Sequence, residues 1–509
     1  MEMRTVSLVT GAMIAIALTL GSGRAPAAPP PGPPGPLETV EIGLLAYVYG
    51  YPLVVLEVSK QVATNVPDAT TAFGRAPINQ FSNNLIPDAS FTDIVLPSVS
   101  TPYSNAFLDL AKRPVILHLP DLGDRFFLMQ VMDGWTNVGG LDPTCLEGGD
   151  GFCGLGSRYG TGPGDYAFVG PGWKGTLPPG IEQVVRMPTD TAWIAGRTLT
   201  TGTPEDLAAV ATIQEQYTLT PLQHYGKRYT LPAHAPVNPK IDMTTPPRDQ
   251  VANMDAGTFF KMLANLMGPN PPAEDDAFVI AQLAKVGIVP GRPFEIRRLD
   301  PATRRTLEEG YAKGQELVAK EAQQLNLTSS NWSMSLDLGV YGHRYLERAA
   351  VAYGGLGANL YLDAVYAGAI YDAECQPTLN IDCDPLDGSQ HRYVVHFEAD
   401  GLPPVDPRAF WSVTLYNRPL ENLFDNEIGR YALGIPAAQG HLPCFNDDGS
   451  LDLYIQAARP ADDTSTEFCN WLPAPGGEFL LLLRMYWPGP ELFQATDPWV
   501  PPAVQRLPL

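Results

Sequence analysis

The sequence predicts a mainly β protein with an α component, ordered along the chain as a β-rich domain, a helical segment and a second β-rich domain. The 509 residues include 51 prolines and 48 glycines, which interrupt long helices but are tolerated where short strands are joined by turns. Short apolar runs bounded by Gly and Pro extend to about residue 197 and return from about residue 392. The stretch between them has a sequence pattern that is typical of helices.

The helices are predicted from apolar periodicity and from end signals. The apolar stretch 41–62 predicts a helix that is kinked at Pro52, because proline lacks a backbone donor. Thr203, Pro204, Glu205 and Asp206 predict a helix start, since Thr caps, Pro suits the first turn and acids suit the helix dipole. Further helices are predicted at 208–217, 254–266, 275–286, 301–325 and 345–371.

The strands are predicted from short runs of β-branched, aromatic and other apolar residues. They lie at 115–119, 126–132 and 166–169 in the first β-rich region, and at 393–398, 409–416, 451–456 and 478–486 in the second. Their alternation of apolar and polar residues is loose. This looseness predicts strands that are covered on both faces.

The charge balance excludes two classes of partner. There are 55 acidic and 33 basic residues, so the formal net charge is −22. Proteins that bind nucleic acid neutralise phosphates with Lys and Arg, and this acidic chain would repel them. Anionic membrane surfaces are disfavoured for the same reason. The composition predicts a soluble, acidic protein.

The N-terminus predicts export. Arg4 precedes an apolar run at 6–20, and Ala25-Pro26-Ala27 offers a cleavage site, so 1–27 is predicted as a signal peptide. A Pro/Gly-rich linker at 28–39 follows, and the mature chain is expected in the periplasm or outside the cell. The apolar run is short for a membrane span, so no stable membrane insertion is expected after cleavage. A retained N-terminal anchor is the alternative.

Six cysteines predict disulfides, although six residues allow 15 connectivities. Export makes oxidation expected. The simplest pairing joins sequence neighbours: Cys145–Cys153, Cys375–Cys383 and Cys444–Cys469. A zinc site is the rival interpretation, but the sequence has neither CxxC nor HxxxH spacing, and no metal site is predicted.

One group of polar residues suggests a site near the first strands. Asn83, Asn84, Tyr103, Ser104 and Asp109 could line a strand edge together with Asp133, Thr136 and Asn137. A pair of carboxylates such as Asp109 and Asp133 could serve as acid and base in glycoside chemistry, or could hold Ca²⁺. The alternative is a set of turn-forming residues with a salt bridge.

A second group combines arginine with tyrosine, which suits recognition of a carboxylate, a sulfate or a sugar. Its members are Tyr345, Arg348, Arg430, Tyr431, Arg484 and Tyr486. Structural pairing with acidic residues is the alternative. A third candidate is Trp471 in the stiff segment 470–475, which could stack on a ligand ring or could plug the end of a sandwich.

Several short sequence motifs identify a family more specifically than the composition does. They are YVYGYP at 47–52, TPYSNAFLDL at 101–110, AFWSVTLY at 409–416, EIGRYAL at 427–433 and NWLPAP at 470–475. In these motifs the chain resembles the paired families called domain of unknown function 1254, over 40 to about 225, and domain of unknown function 1214, over about 390 to 500.

The resemblance implies a β-sandwich domain at 40–225, a helical insert at 226–389 and a jelly-roll-like β-sandwich at 390–509. It implies no settled activity, cofactor or catalytic residue. The chain departs from the family at 101–103, where Thr-Pro-Tyr stands in place of the commoner Asp-Thr-Leu-Tyr. The three cysteine pairs are local additions to the family pattern.

Three functions remain open, because the sequence has no G-x-S-x-G elbow, P-loop or zinc-protease motif. The favoured hypothesis is an exported protein that binds or processes a small molecule or glycan in a cleft between the β-domains and the helical segment. The second is a hydrolase or lyase that uses carboxylates or a weakly held metal. The third is an envelope-associated structural protein that self-assembles into homo-oligomers.

Overall fold

The computed structural model describes residues 34–508 apart from 71, 85, 87, 91–95, 140–153, 233, 325 and 378–382. The predicted signal peptide and the predicted Cys145–Cys153 pair therefore lie outside the described residues. The first helix begins at Pro36, so the end of the predicted linker 28–39 is helical rather than an open spacer.

The first β-sandwich consists of two sheets. Their strands are β1 (Ser82–Asn84), β2 (Tyr103–Asp109), β3 (Val115–Leu119), β4 (Phe127–Asp133), β5 (Leu155–Gly156), β6 (Gly164–Val169), β7 (Ile181–Arg186), β8 (Thr191–Thr198) and β9 (Thr218–Pro221). One sheet has the order β1-β2-β8-β4-β5 and the other has the order β7-β6-β3-β9. Alternate residues, among them Leu108, Val131 and Ile194 of the first sheet and Leu117 and Phe168 of the second, form the core between them.

The main helices of the chain are α1 (Pro36–Thr64), α2 (Pro204–Gln214), α3 (Pro247–Ala252), α4 (Ala256–Leu266), α5 (Ala277–Ala284), α6 (Pro301–Glu321) and α7 (Tyr345–Gly354). All of these helices except α2 pack into a separate core, whereas α2 packs against the first sandwich through Ile213. α1 has the length and apolar composition of a membrane-crossing helix, and 78% of its most apolar 18-residue window is buried within the fold. That burial is typical of a core helix.

Two glycines determine how closely the two longest helices approach. A Cβ on Gly310 of α6 would overlap the carbonyl oxygen of Val40, and a Cβ on Gly43 of α1 would lie 2.5 Å from the carbonyl oxygen of Leu307. Side chains at either position would push the helices apart. The α1–α6 contact therefore requires glycine on both sides.

The second β-sandwich follows the helices. Its strands are β10 (Trp332–Met334), β11 (Ala364–Ala369), β12 (Arg392–Phe397), β13 (Val405–Asn417), β14 (Ala432–Ile435), β15 (Leu451–Gln456), β16 (Trp471–Pro473), β17 (Phe479–Pro488) and β18 (Gln505–Leu507), with the short helix α8 (Thr466–Cys469) before β16. The sheets have the orders β10-β11-β17-β13-β14 and β16-β15-β12-β18. Their shared core includes Trp411, Leu453 and Leu483.

The two sandwiches meet through the outer faces of one sheet from each. Leu128 of β4 and its neighbour Phe126 belong to the same buried cluster as Ala364 of β11, Phe410 of β13 and Tyr486 of β17. The four sheets are therefore stacked in layers. The strands at the centre of the stack are covered on both faces, as the loose alternation of their sequences predicts.

The predicted class is confirmed, because the fold is mainly β with α and comprises two sandwiches and an intervening helical segment. The helix prediction at 345–371 is wrong in its second half: α7 ends at Gly354 and residues 364–369 form β11. Gly354, Gly355 and Gly357, the last with a φ of +95°, interrupt the helix. The segment predicted as helical thus contributes β10 and β11 to the second sandwich.

Two disulfides lie in the described part of the chain. Cys375 is bonded to Cys383, and Cys444 is bonded to Cys469, as the neighbour pairing predicts. Such bonds persist in oxidising compartments and are rare in the cytosol. They indicate that the protein folds in an oxidising environment outside the cytoplasm.

Candidate functional site

The register of β8 builds a polar depression on the outer face of the first sandwich. Ala195 pairs with Asn105 on one side and with Gln130 on the other, and Trp193 and Arg197 stand two residues away on the same face. The small side chain of Ala195 therefore forms a floor that is surrounded by larger polar and aromatic side chains. This face meets the second sandwich.

Arg197 is a buried cation in this depression. The residue is 9% exposed, and its Nη1 donates to the carbonyl oxygen of Ala195 at 3.1 Å. Its guanidinium lies 5.8 Å from the ring centre of Tyr103, and the hydroxyl of Tyr103 accepts from the backbone N–H of Ser98. The Nε of Arg197 has no hydrogen-bond partner within the described part of the chain.

A second buried arginine faces it from β17. Arg484 is 2% exposed, and it donates to the Thr414 hydroxyl at 3.2 Å and to the Leu96 carbonyl at 2.7 Å. The rings of Tyr366 and Tyr416 lie 5.2 and 5.6 Å from its guanidinium. Both Arg197 and Arg484 interact electrostatically with Tyr103, Tyr366 and Tyr486, so the two cations share one aromatic surround.

Both guanidinium groups stay charged. Burial pushes the pKa of Arg484 and of Arg197 down, but the neighbouring tyrosines push it up by more, so the net shift is upward. Among the described residues, no carboxylate lies within ion-pair distance of either group. Two like charges are therefore held close together in a buried region.

One carboxyl group completes the polar lining. Asp363, which precedes β11 and is 2% exposed, accepts a 2.5 Å hydrogen bond from the hydroxyl of Tyr159. Burial raises the pKa of Asp363 to about 6, although Tyr159, Arg158 and Arg197 all oppose the shift. Its Oδ2 has no hydrogen-bond partner among the residues that the structure describes.

Five unpaired polar atoms are concentrated at this interface. They belong to Gln130 (Oε1), Trp193 (Nε1), Arg197 (Nε), Asn359 (Oδ1) and Asp363 (Oδ2), out of 11 such buried side-chain atoms in the described ranges. Native proteins leave few buried polar atoms unpaired, and a cluster of them marks a place where water, an ion or a ligand is bound. These five residues and Arg484 are called the junction site below.

An open cleft lies beside the junction site. It has a volume of about 730 Å³ and is lined by Arg125, Phe126 and Asp206 of the first half of the chain and by Val405, Arg408 and Trp411 of the second. The ring of Phe126 also lies 5.8 Å from that of Tyr486, which belongs to the tyrosines around the two arginines. Phe126 therefore lies between the cleft, which it lines, and the tyrosines around the two arginines.

Four of the residues predicted from sequence meet elsewhere, between the helices and the first sandwich. Asp133 accepts from the backbone N–H groups of Trp135 and Asn137 at 2.8 and 2.9 Å, and also from the side chain of Asn137. Burial raises the pKa of Asp133, and the nearby Arg348 opposes that shift. Arg348 lies 5.5 Å from each of three rings, two of which belong to Trp135 and Tyr345.

This second cluster joins elements of different origin. Asp276, at the start of α5, accepts hydrogen bonds from Tyr49 of α1 at 2.8 Å and from Tyr345 of α7 at 2.5 Å. The sequence analysis missed Tyr49, Trp135 and Asp276, which lie far apart along the chain. Because its carboxylates are occupied by hydrogen bonds, the cluster fastens the helical segment to the first sandwich.

The predicted carboxylate pair does not form. Asp109 pairs with Thr191 and Asp133 pairs with Ala192, which are consecutive residues of β8. Consecutive residues of a strand point to opposite faces, so the exposed Asp109 and the buried Asp133 lie on opposite faces of the sheet. The structure therefore does not bring the two carboxylates together, and a role for them as acid and base stays a prediction.

The predicted group of arginines and tyrosines separates into three places. Arg430 donates to the carbonyl oxygens of Phe468, Cys469 and Trp471, and the neighbouring Tyr431 packs in a different cluster from Tyr345. Arg430 is thus bound by the backbone around α8.

In the described residues, no group of three or more His, Cys, Asp and Glu is placed to hold a metal ion.

Trp471 is packed inside the second sandwich region rather than presented on the surface. It is 2% exposed, and its indole N–H donates to the carbonyl oxygen of Gln456 at 2.8 Å. Tyr103 and Arg484 are the two predicted ligand-binding residues that the structure brings together beside Arg197. The sequence analysis missed Arg197. Like Arg484, it is a charged residue within an apolar strand, here the run 191–198, and this could have marked it as a candidate.

Family comparisons agree with the order of the two sandwiches. Residues 78–221 match the family described as Protein of unknown function (DUF1254), and residues 376–490 match the family described as Protein of unknown function (DUF1214). A comparison with curated proteins finds no match.

Solved structures provide two further comparisons. The VPA0106 protein from Vibrio parahaemolyticus is similar over 92% of this chain and 100% of its own, at 21% identity and a TM-score of 0.64, which shows a shared fold. An uncharacterized protein from Burkholderia cenocepacia aligns over 93% of this chain and 95% of its own, at 11% identity and a TM-score of 0.40. The chain thus carries a DUF1254 match followed by a DUF1214 match, in the order that the sequence predicts.

Proposed function

We propose that the protein is an exported binding protein, periplasmic or extracellular, that holds a small molecule with an anionic group at the junction site. The observation that carries this proposal is the pair of buried guanidinium groups, Arg197 and Arg484, which have no carboxylate within ion-pair distance in the described part of the chain. The predicted signal peptide and the disulfides support the exported location.

The chemistry of Arg197 favours a planar anion. Its Nη1 is bonded to its own strand, whereas its Nε is unpaired among the described atoms. A guanidinium binds a carboxylate or a phosphate through two parallel N–H donors, and the Nε side of the group provides such a fork. An anion bound there would satisfy the unpaired donor and offset the charge.

Energetics favour the same conclusion. A buried ion that lacks a partner costs several kcal/mol, even after the protein relaxes around it. The tyrosines around the two arginines reduce that cost through cation–π contacts of about 0.5–2 kcal/mol each, which is less than an ion pair in this environment would provide. A bound anion is the natural complement of the site.

Thermal unfolding in the presence of small anions tests the proposal. A ligand at a hundredfold excess over its Kd adds about 2.7 kcal/mol to the free energy of unfolding, so Tm rises with its concentration. We expect sulfate, acetate or D-glucuronate to raise Tm more than chloride does at equal ionic strength. The variant Arg197→Gln should lose this increase.

The control is Arg297→Gln, because Arg297 has a side chain that is 85% exposed and contacts only Glu295 at 4.0 Å among the described residues. It should respond to anions as the wild type does. If none of the three anions raises Tm above the chloride level, or if Arg197→Gln responds as fully as Arg297→Gln, the junction site is not an anion site.

A further inference from the structure

We infer that the ligand of the junction site is a hydroxylated carboxylate, of the class that includes acidic sugars. This inference rests on the proposed function and specifies its ligand. It is carried by the unpaired acceptors that accompany the two arginines: Gln130 Oε1, Asn359 Oδ1 and Asp363 Oδ2.

The two amide oxygens are held in place by their own nitrogens. The Nε2 of Gln130 donates to the carbonyl oxygens of Gly357 and Ala358 at 3.1 and 3.2 Å. The Nδ2 of Asn359 donates to the hydroxyl of Tyr366 at 2.8 Å. Because each amide nitrogen is already bonded, the orientation of the side chain is fixed, and its unpaired oxygen can only accept a hydrogen bond.

The third acceptor is held in the same way. One oxygen of Asp363 accepts from Tyr159, which leaves Oδ2 as an unpaired acceptor among the described atoms. Asp363 and Arg197 interact electrostatically, so the acceptor lies near the proposed anchor of the carboxylate. Gln130 is linked to the same anchor through Ala195, which pairs with Gln130 and lies two residues from Arg197 in β8.

These groups together select against simpler ligands. Sulfate or acetate could engage Arg197, but neither ion has a proton to donate to the three acceptors, which would stay unpaired. A neutral sugar could donate hydroxyl protons, but it would add no negative charge beside the two guanidinium groups. A ligand with one carboxylate and several hydroxyls satisfies both sets, and buried groups left unpaired are what makes a site reject an incomplete analogue.

Calorimetric titration of the full mature chain with a ring-matched series tests the inference. The probes are D-glucuronate, cyclohexanecarboxylate, which has the charge and the ring without the hydroxyls, and D-glucose, which has the hydroxyls without the charge. We expect D-glucuronate to bind at least about tenfold more tightly than either analogue, since one hydrogen bond to a buried group is worth about that factor.

The variant Gln130→Met removes one acceptor with little change in side-chain volume. It should weaken D-glucuronate by about tenfold and leave cyclohexanecarboxylate unchanged. The matched control is Gln216→Met, because Gln216 is exposed and donates only within its own chain segment, to Thr212. It should bind both probes as the wild type does.

The outcomes separate this inference from the proposed function. If cyclohexanecarboxylate binds the wild type as tightly as D-glucuronate does, the anion site stands and the hydroxylated class is wrong. If neither carboxylate binds the folded protein, the hydroxylated class is wrong, and the anion site also fails only if sulfate and acetate do not raise Tm above the chloride level. Comparing the affinities of the wild type for the three probes tests the hydroxylated class even if Gln130→Met does not fold.

Discussion

At the scale of single residues, two buried arginines on facing sheets have different roles. Arg484 donates to Thr414 of β13 and to the Leu96 carbonyl, so it holds the segment before β2 against the second sandwich. Arg197 bonds within its own strand among the described residues. Removing Arg484 therefore disturbs the packing of the sandwiches, whereas removing Arg197 mainly disturbs the site, and this is why Arg197 is the residue to substitute.

The same scale shows what sequence patterns can and cannot predict. Arg484 and Tyr103 were recognisable as unusual polar residues within or beside apolar strands. Arg197 carries a similar signal, but nothing in the sequence shows that its face of β8 is turned towards β17. That relation depends on packing between sandwiches whose strands are almost 300 residues apart, and local patterns carry no information about it.

Asp363 makes the stability of the protein depend on pH. Its pKa is about 6 in the folded protein and 3.8 ordinarily, so the folded state holds the proton more tightly than the unfolded chain. The stabilising contribution is complete below about pH 4 and is lost as pH rises through about 6. A shift of about two units corresponds to about 3 kcal/mol.

The substitution Asp363→Asn should remove this dependence and keep the hydrogen bond from Tyr159. We expect the free energy of unfolding of Asp363→Asn, minus that of the wild type, to rise by about 2 kcal/mol between pH 4 and pH 7, measured by urea unfolding. The exposed Asp447 provides the control variant Asp447→Asn, for which the difference should stay flat. A flat difference for Asp363→Asn as well would show that its carboxyl is not perturbed by burial.

At the scale of elements, most helices and strands follow from local signals. Thr203 caps α2 by accepting from the backbone N–H of Asp206, and Lys313 pairs with Glu309 at 2.7 Å on the exposed face of α6. The prediction failed at β11, because small residues such as Ala364 and Ala367 suit a helix as well as a strand pressed between two neighbours. Only the packing against β10 and β17 decides between them.

The close contact of α1 with α6 gives a test at this scale. Gly310→Ala places a methyl group against the Val40 carbonyl, so the helices must separate, and we expect a loss of about 2–3 kcal/mol in the free energy of unfolding. Gly354→Ala is the matched control, because a Cβ there meets nothing closer than 3.8 Å. It should be neutral or slightly stabilising, by at most about 1 kcal/mol. Equal effects of the two substitutions would contradict the close packing, and chemical denaturation measures both.

At the scale of the whole molecule, the order of the domains explains where the site lies. Two sandwiches with complete cores of their own meet through the outer faces of β8 and β17 and their neighbours, and the helical segment closes against the first sandwich. Neither sandwich alone contains the junction site, since Arg197 and Gln130 come from one and Arg484 from the other. Interfaces between domains are where ligand sites preferentially form.

Native mass spectrometry of the mature protein purified from its own host tests the central claim most directly. The account predicts an adduct of fixed mass on the wild type and on Arg297→Gln, and its loss from Arg197→Gln. It also predicts that the released compound is a hydroxylated carboxylate. An adduct that persists in Arg197→Gln would contradict the claim that the junction of the two sandwiches is an anion-binding site. A bare wild-type chain that gains no mass in the presence of D-glucuronate would contradict the assignment of a hydroxylated carboxylate as its ligand.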